Sequence, residues 1–304
     1  MTTDVTVVVA TRDRRAQLLD VLRRHTGEVI VVDNGSDDGT PQAVAAAFPE
    51  VRVVPLAANL GAGAARNAGV ALARTPFVAF ADDDSYWAPG SLERAAEILR
   101  AHPRTGLLTA QVRVGAEARL DPVSAEMARA PLGTPAGAPG PAVLGFLACA
   151  AVLRRAAFTQ VGGFAGRLGT YGEEALLAMD LAAAGWHLAY VPELVVHHLP
   201  LPAGRDRRAR HRQEARNRVL TAALRRPPRV VAGVVRQTWR DPDRRPGLLD
   251  AARQLGWVAR QRRRLPTAVE ADLAVLEGTA PPRVPAQRAP VKRPAPAPAG
   301  TEAR

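Results

Sequence analysis

The chain has 304 residues and a formal net charge of +12, from 41 Lys and Arg against 29 Asp and Glu. That length can bury a sizeable core plus an appendage, while no apolar run reaches the 18 or so residues needed to cross a bilayer. Cys149 is the only cysteine, which excludes an internal disulfide and a cysteine-built metal site.

The opening MTTDVTVVVAT lacks the basic region and cleavage site of a signal peptide, so a cytoplasmic location is expected. Val5 to Ala10 (VTVVVA) predicts a strand, and Arg14 to Arg24, with Leu18, Leu19 and Leu22, a helix. A second strand, Glu28 to Asp33, runs into the turn-rich NGSDDGT and a helix through PQAVAAAF. VRVVPL is a third strand, GAGAARNAGVALAR a Gly/Ala-rich helix entry, and Phe77 to Ala81 a fourth strand. Near-continuous apolar strands alternating with helices predict a parallel sheet covered on both faces. Ligands of such sheets bind at the carboxyl ends of the strands. NGSDDG and the triple aspartate Asp82, Asp83 and Asp84 both fall there, so one crevice is expected to hold them.

Three adjacent carboxylates repel: two of them about 5 Å apart cost roughly 3 kcal/mol at an effective dielectric near 20. Taken alone they read either as a solvated turn capping the next helix or as a cation site. Asp33 and Asn34 read either as a strand-to-helix connection or as a contact to a nucleobase or ribose. NLGAGAARNAG permits close backbone approach and puts Arg66 and Asn67 at a helix start, which suits either a diphosphate or tight helix–sheet packing. It is not a dinucleotide fingerprint, because GAGAAR ends in Arg and follows the third strand.

From Gly115 to Pro141 a Gly/Pro/Ala-rich stretch predicts a surface excursion, and AVLGFLACAAVL a buried element. YGEEALLAMDLAAAGW begins a helix with Glu173 and Glu174, where the helix dipole keeps carboxylates ionised. Leu177 and Leu181 mark its buried face, so Glu174 is expected to point inward. VPELVVHH ends a strand with His197 and His198, which face opposite sides.

Residues 1–204 hold 17 Lys and Arg against 20 Asp and Glu, and the rest 24 against 9, so the basic excess lies wholly in the last third. Three segments are expected: a catalytic domain over 1–204, an Arg-rich helical extension over 205–278, and a disordered Pro/Ala-rich tail over 279–304. The cluster from Arg205 to Arg218 suits peripheral contact with an anionic membrane, at the inner face of the cell membrane. Alternatively, Arg216 and Asn217 fold back towards the diphosphate of a donor.

In order, VVVATRDR, VVDNGSDDGT, NLGAGAARNAG, FADDDS, VGGF, YGEEALLAMDLAAAGW and VPELVVHH resemble a family 2 glycosyltransferase over roughly residues 4–200. The resemblance implies the GT-A fold, an α/β architecture with a Rossmann-like, mostly parallel sheet flanked by helices. It also implies inverting transfer from a nucleotide-diphosphate sugar, of the UDP or dTDP kind, to an acceptor hydroxyl, glycan or lipid-linked, in cell-envelope or polysaccharide synthesis, with Mg²⁺ or Mn²⁺. Carried over by position, Thr11 and Arg12 meet the base, Asn34 reads a uracil or thymine edge with Asp33 beside it, and Arg66 lies near the diphosphate. Asp82 and Asp84 end the D-x-D motif, Asp84 being the usual metal ligand, and Asp83 lies near the ribose or sugar. His198 contacts metal or diphosphate, with His197 as the register alternative. Glu174 falls on the general base with Glu173 before it, although the family usually has Glu-Asp here. A proline is also common at Ala10.

Two other classes fit parts of the chain. A sugar-phosphate nucleotidyltransferase needs a Gly-rich basic loop after the first strand, and ATRDRRAQLL has no glycine. A nucleic-acid-binding protein would use the basic third, which has only Trp239 and Trp257 as aromatics and leaves the acids unexplained. No nucleic-acid partner is expected.

Overall fold

Val5 to Val9 are all β-branched and none is more than 2% exposed, which marks a strand covered on both faces. In the computed structural model, which describes residues 4–200 and 206–280, this strand is β1 (Val5–Thr11). The chain continues through α1 (Arg15–Leu22), β2 (Glu28–Asp33), α2 (Thr40–Ala47), β3 (Arg52–Pro55), α3 (Ala62–Leu72) and β4 (Phe77–Asp82). Then follow β5 (Ser85–Trp87), α4 (Ser91–Ala101), β6 (Thr105–Val114), β7 (Arg119–Leu120) and α5 (Pro122–Ala128). β8 (Ala151–Arg154), α6 (Arg155–Val161), α7 (Glu173–Ala183) and β9 (His187–His198) complete the sheet region. The extension comprises α8 (Arg207–Arg225), α9 (Pro228–Arg240), α10 (Pro246–Ala252), α11 (Leu255–Gln261) and α12 (Thr267–Leu276).

Strand order is β3-β2-β1-β4-β8-β6-β9-β5, with β7 paired to β6. The first four strands are parallel. β8 runs antiparallel between β4 and β6, so the sheet beyond β4 is mixed. Side chains alternate across it with period two: Val5, Val7 and Val9 join one apolar cluster with α1, α2 and α4, and Val8 joins the other with α3, α6 and α7. Gly69 explains how closely α3 lies on β1, since a Cβ there would sit 2.3 Å from a Val8 methyl.

Two features have no counterpart in the sequence expectations. β6 is a ten-residue strand between β8 and β9. The 115–141 stretch is not all irregular: β7 forms a hairpin with β6, and α5 is capped by Asp121 and anchored by Ser124, whose Oγ accepts the Val112 N–H at 2.9 Å.

The extension is joined to the sheet region by shared core. Leu168 and Leu176 pack with Val219, Leu220 and Leu224 of α8, Ala251 of α10 and Val258 of α11, while Met179 packs against Val269 and Leu273 of α12. Arg225 reaches back to chelate Asp180 of α7 at 2.5 and 2.9 Å. No described helix is long and apolar enough to cross a membrane. The expected Pro/Ala tail lies outside the described residues from position 281 onward.

Candidate active site

β1, β2 and β4 end side by side, with Thr11 in register with Asp33 and Ala10 with Asp82. Thr11 Oγ1 donates to Asp83 Oδ2 at 3.1 Å, and Asp33 Oδ2 accepts the Ser36 N–H at 3.0 Å. Asp33 Oδ1 is buried with no hydrogen-bond partner among the described residues. A dry, unpaired acceptor is costly, and a ligand hydroxyl or N–H is the kind of group that would satisfy it. Asn34 spends both ends of its amide on the neighbouring loop, donating to Asn59 Oδ1 at 2.9 Å and accepting the Leu60 N–H at 2.8 Å. Arg12 lies exposed at the rim, its Nε donating to the Gly35 carbonyl at 3.3 Å.

Arg66 is the centre of the acidic cluster. It projects from α3, its side chain only 6% exposed, and donates to Asp82 Oδ1 at 2.8 Å and Glu173 Oε1 at 3.0 Å. The rings of Phe164 and Phe80 lie 5.6 and 6.0 Å from its guanidinium carbon, so an aromatic floor supports the buried cation. One arginine thereby ties α3, the end of β4 and the first turn of α7 together. Glu173 is 2% exposed, and burial, then the neighbouring Glu174, pushes its carboxyl up, against the pull of Arg66. Glu174 is half-buried beside it, and burial raises its pKa too, again opposed by Arg66. The deeper of the two acids is thus Glu173, whereas the spacing from Leu177 pointed to Glu174.

Asp83 is pushed up to about 7 by burial and by the adjacent Asp84 and Asp82. Asp84 Oδ1 lies 3.2 Å from His198 Nε2, a contact that raises the imidazole pKa. The pairing of β5 with β9 sets this register, matching Ser85 with His198 and Tyr86 with His197. His197 instead stacks on the Tyr86 ring at 5.0 Å. His198 is therefore the histidine at the acids.

A divalent ion can be tested against these groups. Among the described residues no three His, Cys, Asp or Glu side chains converge as a metal cluster; Asp82 is turned towards Arg66 and Asp84 towards His198. The donor chemistry nevertheless fits, because carboxylates with one imidazole suit Mg²⁺ or Mn²⁺. The raised Asp83 carboxyl marks an excess of negative charge that a cation would relieve.

The loop before the two glutamates is held by the extension. Asn217 of α8 is fully buried, and its Nδ2 lies 2.9, 3.0 and 2.9 Å from the carbonyls of Leu168, Thr170 and Tyr171. Arg216 donates to the Arg167 and Leu168 carbonyls at 2.7 and 3.3 Å. Arg216 and Asn217 are thus spent on the loop backbone, not on a diphosphate as the sequence suggested. On its other side the loop meets the start of α3: Gly63 N–H donates to the Gly169 carbonyl at 3.2 Å, and a Cβ on Gly61 would sit 2.5 Å from the Gly169 Cα. A cavity of about 660 Å³ opens here, lined by Leu60, Gly169, Tyr171, Arg210 and Gln213 among others.

The first strand ends, the triple aspartate, Arg66, the two glutamates and His198 thus come together, as the motifs anticipated. Asn59 and the loop-holding role of Asn217 were missed. Asn59 opens the NLGAGAARNAG motif, but nothing in its spacing reveals a cross-loop amide pair.

A mixed sheet with acids at the ends of its parallel strands defines the GT-A class, and the solved structures it resembles belong there. Mannosyltransferase PcManGT from Pyrobaculum calidifontis, in complex with GDP-Man and Mn²⁺, aligns with a TM-score of 0.57 at 22% identity, covering 93% of this chain and 82% of that one. S. aureus TarS 1-349 in complex with UDP-GlcNAc aligns with a TM-score of 0.56 at 19% identity, covering 89% and 83%. Residues 6–162 match the family described as glycosyl transferase family 2, and the chain belongs to that family. This sets aside the nucleotidyltransferase reading. Among curated proteins, N-acetylglucosaminyl-diphospho-decaprenol L-rhamnosyltransferase of Mycobacterium tuberculosis is 32% identical over 244 residues, covering 67% of this chain and 79% of that protein. The succinoglycan biosynthesis protein ExoO of Rhizobium meliloti is 40% identical over 101 residues, covering 31% of this chain and 29% of that protein.

Proposed function

We propose that this glycosyltransferase moves a sugar, a deoxyhexose such as rhamnose first among those to test, from a UDP- or dTDP-sugar to a hydroxyl of a lipid-linked acceptor in cell-envelope glycan synthesis. Configuration at the anomeric carbon is inverted. The observation that carries the reading is the Asp82–Arg66–Glu173 bridge at the ends of the parallel strands, flanked by Asp83 and Asp84. It holds acids for a donor and acids for an acceptor on opposite sides of one buried cation. The similarity to the mycobacterial rhamnosyltransferase supports the acceptor class.

In this reading the base and ribose lie over Thr11, Arg12, Asp33 and Asn34, with Asp33 Oδ1 accepting from the nucleoside. Asn34 fixes the wall formed by Asn59 and Leu60. Asp83 lies towards the ribose or sugar. Asp84 and His198, with Asp82, would hold Mg²⁺ or Mn²⁺, which supplies charge neutralisation at the departing diphosphate. Glu174 takes the proton from the acceptor hydroxyl as it attacks from the face opposite the nucleotide, while Glu173 stays bound to Arg66 and fixes the first turn of α7. The acceptor occupies the cavity beside Tyr171 and Arg210.

The test is a panel of nucleotide sugars with Mn²⁺, with and without polyprenyl-diphosphate-linked N-acetylglucosamine, reading released nucleoside diphosphate and glycosylated lipid. Acceptor-dependent release from a UDP- or dTDP-sugar is expected. No release from any donor in the presence of acceptor overturns the reading.

A further inference from the structure

The extension carries a surface that sugar transfer does not use. Arg229, Ala232, Val235, Arg236, Trp239 and Arg240 of α9 are all exposed and recur at intervals of three and four, which places them on one side of the helix. Trp239 is 59% exposed. The helix holds three of its arginines on that side and has no Asp or Glu at all. Beside it, Arg245 at the start of α10 lies 4.8 Å from the Trp239 ring centre and donates to the Trp239 carbonyl at 3.0 Å. One turn further along α10, Leu249 is 67% exposed.

The sequence pointed instead to the arginines of α8, and these are largely engaged inside the chain. Arg212 chelates Asp250, Arg210 pairs with Glu214, and Arg216 holds the 167–168 carbonyls. The α9 face has the opposite character: cations without acids in the same helix, interleaved with aliphatic and aromatic side chains facing water. Aliphatic side chains find no counterpart on a phosphate backbone, and a single exposed tryptophan is a poor platform for stacking bases. Lipid satisfies both components, acyl boundary for the apolar groups and phosphate for the guanidinium groups.

We propose that the face formed by α9 and the start of α10 docks on an anionic lipid leaflet. Trp239, Val235 and Leu249 enter the headgroup boundary, and Arg229, Arg236, Arg240 and Arg245 pair with lipid phosphates. The proposal stands whether or not the sugar-transfer reading does, because lipid binding is measured without donor.

The experiment is sedimentation of the full chain with vesicles of equal parts phosphatidylglycerol and phosphatidylcholine, or of phosphatidylcholine alone, at low and high salt. Binding to the anionic vesicles only, weakened by salt, is expected. Arg236→Gln and Arg240→Gln each lower the partition coefficient about fivefold, Trp239→Ser lowers it at least as much, and the control Arg94→Gln on α4, whose arginine is exposed and paired with Glu97 and Glu193, leaves it unchanged. In the unmodified chain, bromine-labelled acyl chains quench tryptophan fluorescence, and Trp239→Phe removes that quenching. Absence of binding to anionic vesicles at low salt, binding unaltered by Trp239→Ser, or quenching that persists in Trp239→Phe overturns the proposal. So does single-stranded RNA that displaces the chain from vesicles and binds the Trp239→Ser variant equally well.

Discussion

The crevice and the extension treat buried charge in opposite ways. In the extension each buried arginine meets acids with matched geometry: Arg225 with Asp180, and Arg226 with both Glu270 and Glu277. In the crevice a single buried arginine, Arg66, serves Asp82 and Glu173 with Glu174 close by, while Asp83 and Asp84 add their charges next to Asp82. Balanced charge of the first kind holds helices together. In the second kind, burial first and neighbouring carboxylates after it raise the pKa values of Asp83 and Glu173, which suits a site that takes up cationic or proton-bearing ligands.

The sharpest way to break this contrast is at Glu174. Glu174→Gln is expected to lower kcat by about 10²- to 10⁴-fold with donor KM little changed and the unfolding midpoint preserved. Glu173→Gln is expected to lower stability as well, because it leaves Arg66 without one of its two acids. Steady-state kinetics and urea titration on both variants check the split; a Glu174→Gln enzyme of full activity removes it as the base.

On the extension side, Arg225→Ala is expected to cost about 3–5 kcal/mol, since it strands Asp180 in a mostly buried position. Denaturant unfolding measures this, and a loss under 1 kcal/mol would mean that the pair is solvent-screened. Between the two regions, Asn217→Ala is expected to cost about 2–3 kcal/mol, because the Thr170 and Tyr171 carbonyls lose their donor, whereas Leu168 keeps those from Gln213 and Arg216. It should also lower kcat more than it raises donor KM, because the loop it holds leads into Glu173 and Glu174. Equal stability of the variant and the unmodified chain would sever the link between the regions.

The smallest effect concerns a buried group outside both. His25 has its pKa lowered to about 4 by burial, which outweighs a hydrogen bond to the Ser85 backbone. The unfolded chain binds that proton first, so stability is full above about pH 6.5 and falls as pH drops towards 4. With the ring partly exposed, the loss is about 2 kcal/mol. His25→Phe should flatten stability between those pH values, and an unchanged profile would show that the imidazole titrates normally.

The parallel half was legible because its signals are local. Val5 to Ala10, broken only by Thr6, and Phe77 to Ala81 are near-continuous apolar runs, and each is followed by the polar residue, Thr11 or Asp82, that its register delivers to the crevice. β6 escaped notice because TGLLTAQVRV carries Gly106 within it and mixes buried threonines with leucines; Thr105 and Thr109 are both fully buried. The choice between His197 and His198 follows from pairing with β5, a three-residue strand too short to read in advance. The depth of Glu173 depends on Arg66, which lies 107 residues away in sequence. Spacing within one helix carries no record of such a partner.

The Asn217 contacts also impose an order in time. The carbonyls they hold belong to residues 46 to 49 positions earlier, and a chain grows from its N-terminus at about 5–20 residues per second. The strands that carry Asp33 and Asp82 can therefore pair several seconds before the loop leading to Glu173 and Glu174 receives its donors. On the ribosome, the strand ends that carry Asp33 and Asp82 exist before the loop leading to the two glutamates is fastened.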